Sequence, residues 1–275
     1  MTKKVRPTPE TIWKHPAYLK YVQPALTTQI VSQAEERLGC KLPESFLELL
    51  RVQNGGYIRF HFPDSVGEMI TGIGPQFPSI VETFLPGLLD GQEYVSFSLN
   101  NLVPFDGDGH WYLCLDYRDG KEIPCVSYID VECDEQHRMA DSFPEYLDKM
   151  ELRLDGEWIL QNVTGLDDAK NKLEQLFQGK FVEKTSNIGY QYHKMQTSQE
   201  ARSGFSIATN RVAAGFRESK KAEFEYEGTA LRFPELPAET VICKFFPDQL
   251  DAFRDQLAGA GLGLVDIEAA VETTL

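Results

Sequence analysis

The sequence predicts an α+β fold arranged as two domains, and three observations carry that expectation. The stretch 27–56, TTQIVSQAEERLGCKLPESFLELLRVQNGG, holds two short amphipathic helices, and the chain up to about Glu151 reads as a sheet and loops built on that pair. A length of 275 residues is long for one core and comfortable for two. Beyond about Leu154 a strand–helix–strand order occurs twice, which suggests a smaller α+β domain of ferredoxin-like form with two βαβ units. The expected boundaries are 1–152 and 153–275, with an irregular polar insertion in the second domain at about 188–236.

Residues 1–10 read as a loose tail, and Pro16 and Pro24 then break any long helix around Trp13, Tyr18 and Tyr21. Trp13 is expected to lie against the sheet. Thr27 or Thr28 caps the first helix. Ile30, Ala34 and Leu38 form its buried stripe, and Gln33, Glu35, Glu36 and Arg37 face water. Gly39 supplies the left-handed terminus. Pro43 opens the second helix, where its missing N–H costs little, and Phe46, Leu47 and Leu50 are its buried face. Asn54-Gly55-Gly56 stops that helix because these residues tolerate positive φ. Residues 57–62 alternate and predict one strand. Residues 63–93 are so punctuated by Pro and Gly that they predict a long irregular segment with at most a helical turn, and a short strand or helix start follows at 94–97.

Residues 111–117 alternate as a half-buried strand, Arg118-Asp119-Gly120-Lys121 is a hairpin turn, and 125–131 is the next strand. Ser142 and Glu145 form a capping box for a helix that closes the first domain. In the second, strands are expected at 158–163, 181–182, 239–246 and 261–267. Helices are expected at 166–178 and 248–257.

A net charge of −15 opposes a nucleic-acid partner, which needs clustered Lys and Arg, and favours basic partners. No apolar run reaches the roughly 20 residues that span a bilayer. The basic N-terminus is followed by no apolar stretch, so a cytoplasmic protein is expected. Five scattered cysteines suit a reduced compartment.

Several motifs in order lead to a family. They are Leu38-Gly39-x-x-Leu42-Pro43, Phe46-x-x-Leu49-Leu50, Asn54-Gly55-Gly56, Leu102-x-Pro104-Phe105, Asp106-Gly107-Asp108-Gly109, a strand ending in Asp116, and Ser142-Phe143-x-x-Tyr146-Leu147. Over residues 13–150, with Trp13 at the start, this series resembles the SUKH superfamily. That group includes the yeast cell-wall assembly regulators Smi and Knr and many bacterial immunity proteins. The resemblance implies a central, mostly antiparallel sheet flanked by helices. It also implies a binding role without catalysis, in bacterial members the neutralisation of polymorphic toxins. It ends near Glu151.

The residues themselves offer no reaction. His110, Cys114 and Asp116 share a strand face, but a rise of about 3.3 Å per residue puts His110 roughly 13 Å from Cys114. A nucleophile and its base need about 3 Å. The Asp106-Gly-Asp-Gly turn lacks the third acidic ligand and closing Glu of a calcium loop. Cys125, Cys133 and His137 are spaced too widely for an ordinary zinc site, and 133–137 reads as a solvated loop. No cofactor is implied. Asn54-Gly55-Gly56 ends a helix, the wrong pole for an anion.

A surface remains. From Asp106 to Glu135, nine acidic residues meet only Arg118 and Lys121. Asp106, Asp108, Asp119, Asp130, Glu132, Asp134 and Glu135, with Tyr112 and Tyr128, form the expected partner-binding surface for a protein, most simply a basic toxin domain. Trp111 is assigned to the core by its alternation, and Asp116 to local backbone donors. The alternatives are a regulatory scaffold in signalling or cell-wall assembly, or an enzyme housed in the second domain.

Overall fold

In the computed structural model the chain divides into two compact units, Met1–Arg153 and Leu154–Leu275. The structure describes residues 5–63, 65–120, 122–154, 156–185, 191–196, 204–211, 231–245 and 250–275.

The first unit starts from the helix pair. Helix α1 (Thr28–Leu38) begins where Thr27 Oγ1 accepts the Ile30 amide at 3.2 Å, and it ends at Gly39 with φ 69°. Of its expected stripe only Ala34 is fully buried. Glu35 does not face water. Its carboxylate accepts the Leu42 amide at 3.0 Å and pairs with Lys41, which fixes the joint to the next helix. Helix α2 (Glu44–Val52) follows Pro43 and buries Phe46, Leu47, Leu49 and Leu50.

Residues 57–62 are not one strand. β1 (Gly56–Tyr57) pairs with β3 (Met69–Ile70), Ile58 bridges to Trp13, and β2 (Phe60–His61) pairs with β8 (Glu151–Leu152). Three partners in six residues break the continuous ladder that alternation implied. Trp13 is 2% exposed in this arrangement.

The segment read as irregular contains β3 and then a continuous helical path. A π turn (Ile80–Phe84) capped by Ser79 leads into α3 (Leu85–Asp90) and a 3-10 turn (Gly91–Tyr94); residues 95–97 have no regular structure. The Pro and Gly residues that suggested a loop have packing roles. Pro86 lies in the first turn of α3, where proline is tolerated. A Cβ on Gly91 would press on the Val131 side chain at 3.0 Å, so the glycine allows the turn to lie close on its neighbour.

The main sheet has the order β4 (Leu102–Gly107), β5 (Trp111–Asp116), β6 (Cys125–Asp130), β7 (Glu135–Ala140), antiparallel throughout. β5 is buried on both faces, with Tyr112, Leu113, Cys114 and Leu115 all inside. The helical path explains this. Leu88 and Leu99 cluster with Leu102, Tyr112, Cys114 and Ile129, so the face expected to meet solvent is covered. Helix α4 (Phe143–Lys149) packs on β6 and β7. Its Phe143 meets Phe46 of α2 edge-on at 5.2 Å and Phe105 of β4 at 5.7 Å. Ser142 caps α4, while Glu145 reaches the Asp141 amide at 2.8 Å.

The second unit is a six-stranded antiparallel sheet of order β10-β11-β12-β13-β9-β14. Its strands are β9 (Glu157–Gln161), β10 (Val182–Thr185), β11 (Gln191–Met195), β12 (Phe205–Thr209), β13 (Val241–Phe245) and β14 (Gly263–Asp266). The range 188–236 is therefore not wholly irregular, because β11 and β12 lie in it; residues 188–190, 197–203 and 212–230 of that expectation lie outside the described residues. β13 and β14, joined through α6 (Leu250–Gly259), flank β9 as a split βαβ pair. β9 and β10, joined through α5 (Leu166–Phe177), stand apart with three strands between them. Ala169 and Leu173 of α5 and Phe253 and Leu257 of α6 share one core with Leu160, Phe205, Ile207 and Cys243. A last helix not expected from the sequence, α7 (Ile267–Thr274), follows β14 and is capped by Asp266, whose Oδ1 accepts the Ala269 amide at 3.1 Å. No described helix is long and apolar enough to cross a membrane.

Candidate partner-binding surface

The expected acidic surface separates into buried and exposed groups once the sheet is formed. Asp106 is 3% exposed and belongs to the interior. Its Oδ2 accepts the Glu68 and Met69 amides at 2.9 and 3.1 Å, and its Oδ1 the Gly107 amide at 2.8 Å. The residue ties β3 to β4 and offers nothing to a partner. Burial pushes its carboxyl up to about 7 against those three donors. The folded value exceeds the unfolded one. This group's contribution is therefore fully present below about 4 and lost as pH rises towards 7. The stability gap between wild type and Asp106→Asn, measured by denaturant unfolding, is expected to narrow as pH rises from 4 to 7; a widening gap would refute the assignment.

Tyr112 is 3% exposed and lies beneath the helical path, so it too leaves the proposed surface. Nothing in β5 alone announces that residues 80–99 cover the Tyr112 face too, so that both faces of the strand are buried over 112–115. Asp116 is interior as well. Burial would raise its carboxyl, but Arg118 donates to both oxygens at 2.9 and 2.6 Å and Ser127 at 2.9 Å. Together these hold it below the usual range. Arg118, counted as a surface cation, is thus bound to an inner carboxylate. Asp116→Ala leaves that half-buried guanidinium without its counter-charge, with Ser98 O and Gln136 still accepting from it, and is expected to cost about 3 kcal/mol in chemical unfolding; a loss under about 0.5 kcal/mol would contradict the pairing. Asp119 is exposed in the β5–β6 turn and pairs with Arg138. It stands beyond the far end of β5, eight residues from Trp111, and the five steps from Trp111 to Asp116 alone span about 17 Å.

A coherent face forms at the other end. Trp111, Tyr128 and His137 stand on successive strands β5, β6 and β7. Trp111 and Tyr128 stack with centroids 6.2 Å apart and planes at 16°; Tyr128 and His137 stack at 4.9 Å and 27°. Trp111 and Tyr128 are half-buried and His137 is exposed. Trp111 is therefore not core, contrary to its assignment by alternation. His137, expected in a solvated loop, lies within β7 opposite Tyr128. The Cys125-Cys133-His137 set does not converge, because Cys125 sits beside Asp116 at the far end of β6.

Carboxylates surround this ladder. Asp130 Oδ1 accepts the Glu132 and Cys133 amides at 3.0 and 2.8 Å, shaping the β6–β7 turn, and its Oδ2 accepts the Tyr128 hydroxyl at 3.3 Å. Asp134, at φ 55°, accepts the Ser96 amide at 2.6 Å. Asp108 shapes the β4–β5 turn by accepting the His110 and Trp111 amides at 2.9 and 3.2 Å. Glu132 pairs with His110 at 2.7 Å, and Glu135 opens β7 opposite Asp130. No Lys or Arg occurs in 106–116 or 122–137. The field acts on the neutral groups within it. Burial and then the Asp130 charge push the Tyr128 hydroxyl up to about 12, and Asp130 foremost raises the exposed Cys133 thiol.

His110, Cys114 and Asp116 are not assembled for catalysis. His110 is exposed and held by Glu132, while Cys114 is fully buried with its thiol driven well up by desolvation. Among the described residues no group of three His, Cys, Asp or Glu side chains is placed to hold a metal.

The motif Asn54-Gly55-Gly56 has a larger part than stopping α2. Asn54 Nδ2 donates to Pro24 O and Ile73 O at 2.6 and 2.9 Å, and its Oδ1 accepts the Ile73 amide at 2.9 Å. Gln23 completes the knot by donating to Pro78 O at 2.7 Å and accepting the Gln76 amide at 3.0 Å. The sequence carries no sign that Gln23 would join it. The knot anchors the start of the helical path that covers the sheet.

No curated protein matches the chain. Residues 25–149 match the model of the SMI1 / KNR4 family (SUKH-1), a span running from just before α1 to the end of α4. Over that stretch of the first unit, sheet, covering path and exposed ladder included, the chain is similar to the SMI1 / KNR4 family (SUKH-1).

Proposed function

We propose that this protein is a non-catalytic, cytoplasmic binding module of the immunity type, whose first domain captures and neutralises a basic toxin domain. The observation that supports it most is the stacked Trp111–Tyr128–His137 ladder, part-exposed and ringed by Asp108, Asp130, Glu132 and Glu135. Part-exposed aromatic rings are the residue type that dominates interface energetics, and a rim of one charge steers an oppositely charged partner. The same rim disfavours nucleic acid and anionic membrane surfaces.

The test is affinity capture from the native cell with full-length protein, beside a Trp111→Ala/Tyr128→Ala variant. A stoichiometric basic partner, retained by the wild type, lost by the variant and inhibited on mixing, supports the reading. A biosynthetic or signalling partner would replace it with a regulatory scaffold, and a partner kept equally by both proteins would move the site elsewhere. Association with a basic toxin is also expected to slow markedly between low salt and about 0.5 M salt, as screening shortens the reach of the acidic rim. A salt-independent on-rate in stopped flow would remove the steering role.

A further inference from the structure

We propose that the outer edge of β7, over residues 135–138, takes up a short basic strand of the partner as a fifth strand of the main sheet. The inference rests on the binding role proposed above and specifies how the partner docks.

The order β4-β5-β6-β7 puts β7 at one edge, and among the described residues no strand pairs with its outer side. An exposed edge offers a row of backbone donors and acceptors, and proteins usually blunt it with proline, bulges or outward charges. Here the blunting stops short. The pairing of Val126 with Ala140 and of Ser127 with Arg138 leaves Met139 as an extra residue in β7. Lys149 covers that point by donating to Met139 O at 3.2 Å. Residues 135–138 precede the bulge and contain no proline.

The side chains of the open segment are drawn back over the sheet. Gln136 accepts from Arg118 at 2.7 Å, Arg138 pairs with Asp119 and Asp141, and His137 stacks on Tyr128. Apart from the Arg138–Asp141 pair just past the end of β7, these contacts run inward over the sheet, to β6 and the β5–β6 turn.

The aromatic ladder steps one strand at a time from β5 to β7 and stops there. A strand added beyond β7 continues it, with a side chain against the outer face of His137. The charge favours an arginine or lysine at that place, given Asp130, Glu132, Asp134 and Glu135 around the turn. Backbone pairing then supplies affinity and the alternate side chains supply selection.

The test uses 15N-labelled full-length protein and a blocked peptide of sequence Arg-Val-Arg-Val-Arg-Val. Two controls are the acidic counterpart Glu-Val-Glu-Val-Glu-Val and the proline-interrupted Arg-Val-Arg-Pro-Arg-Val. The expected result is slowed amide exchange at alternate residues of 135–138, with both controls bound about tenfold or more weakly. Equal binding of the basic peptide and its proline form, without amide protection, would overturn edge addition while leaving the acidic aromatic face as the docking site. Absence of any β7 perturbation at about 1 mM basic peptide would also overturn it. The capture experiment, which requires no particular backbone pairing, would still decide the broader reading.

Discussion

Replacing Asn54 by alanine is expected to destabilise the first unit by about 4 kcal/mol, a large share of the 5–15 kcal/mol that typically holds a domain together. The side chain is 3% exposed and makes three hydrogen bonds to backbone groups of two separate segments, at Pro24 and Ile73. Alanine leaves one buried N–H and two carbonyls without this partner, and each orphaned group costs about 1–3 kcal/mol. Water has poor access to relieve them. Gly55 and Gly72 meet so closely that a Cβ on Gly72 would lie 2.2 Å from Asn54 O. Asn54→Asp is the sharper control. It keeps the acceptor for the Ile73 amide but turns a carboxylate towards two carbonyl oxygens, so it is expected to be at least as damaging. The measurement is denaturant unfolding by fluorescence in a Trp158→Phe background, which leaves Trp13 and Trp111, both in the first unit. A loss below about 1 kcal/mol for alanine would show that the knot is not a structural hub.

The second large effect concerns binding. Trp111→Ala/Tyr128→Ala is expected to weaken the captured partner by about two orders of magnitude or more, since central aromatic anchors commonly contribute about 2 kcal/mol or more each. The two rings stack on one another, so their effects are not additive and the double variant is the informative one. The cost to folding is expected to be small, about 1 kcal/mol, because the lost stacking is partly solvent-facing. Calorimetry of partner binding beside thermal unfolding separates the two. Wild-type affinity in a folded double variant would remove the ladder from the interface. A matching Asp106→Asn variant, altered only in the interior, should bind normally when folded, since Asp106 touches β3 and β4 amides rather than the surface.

Local rules account for much of the first unit. The Thr27 cap, the Gly39 terminus, the Pro43 start and the Ser142 cap act within a few residues, so spacing alone placed α1, α2 and α4. The family motifs likewise sit where short-range chemistry constrains the chain. Two adjacent alternating segments with a turn signal between them placed β5 and β6, because hairpin pairing is local.

Burial was a different matter. Whether Trp111 or Tyr112 faces solvent depends on residues 80–99, more than ten positions distant, folding over one side of the sheet. Alternation fixes which residues share a face but cannot tell which face is covered. Asp106 reads as surface charge for the same reason, whereas Asp116, expected to serve local backbone donors, accepts the Arg118 amide and further donors besides. Their long-range donors are the backbone of 68–69 and the Ser127 hydroxyl, and these meet them only when strands pair. Gly87 and Gly91 carried the turn-forming character of glycine in the sequence, and their packing against Tyr112 and Val131 became visible only when the helical path met the sheet. In the second unit, β11 lacks a strong apolar alternation, and it is the ladder with β12, itself paired with β13, that makes it a strand. The helices and hairpins were thus set by neighbours in sequence, whereas the exposed ladder, the buried carboxylates and the open edge of β7 arose from contacts between segments far apart in the chain.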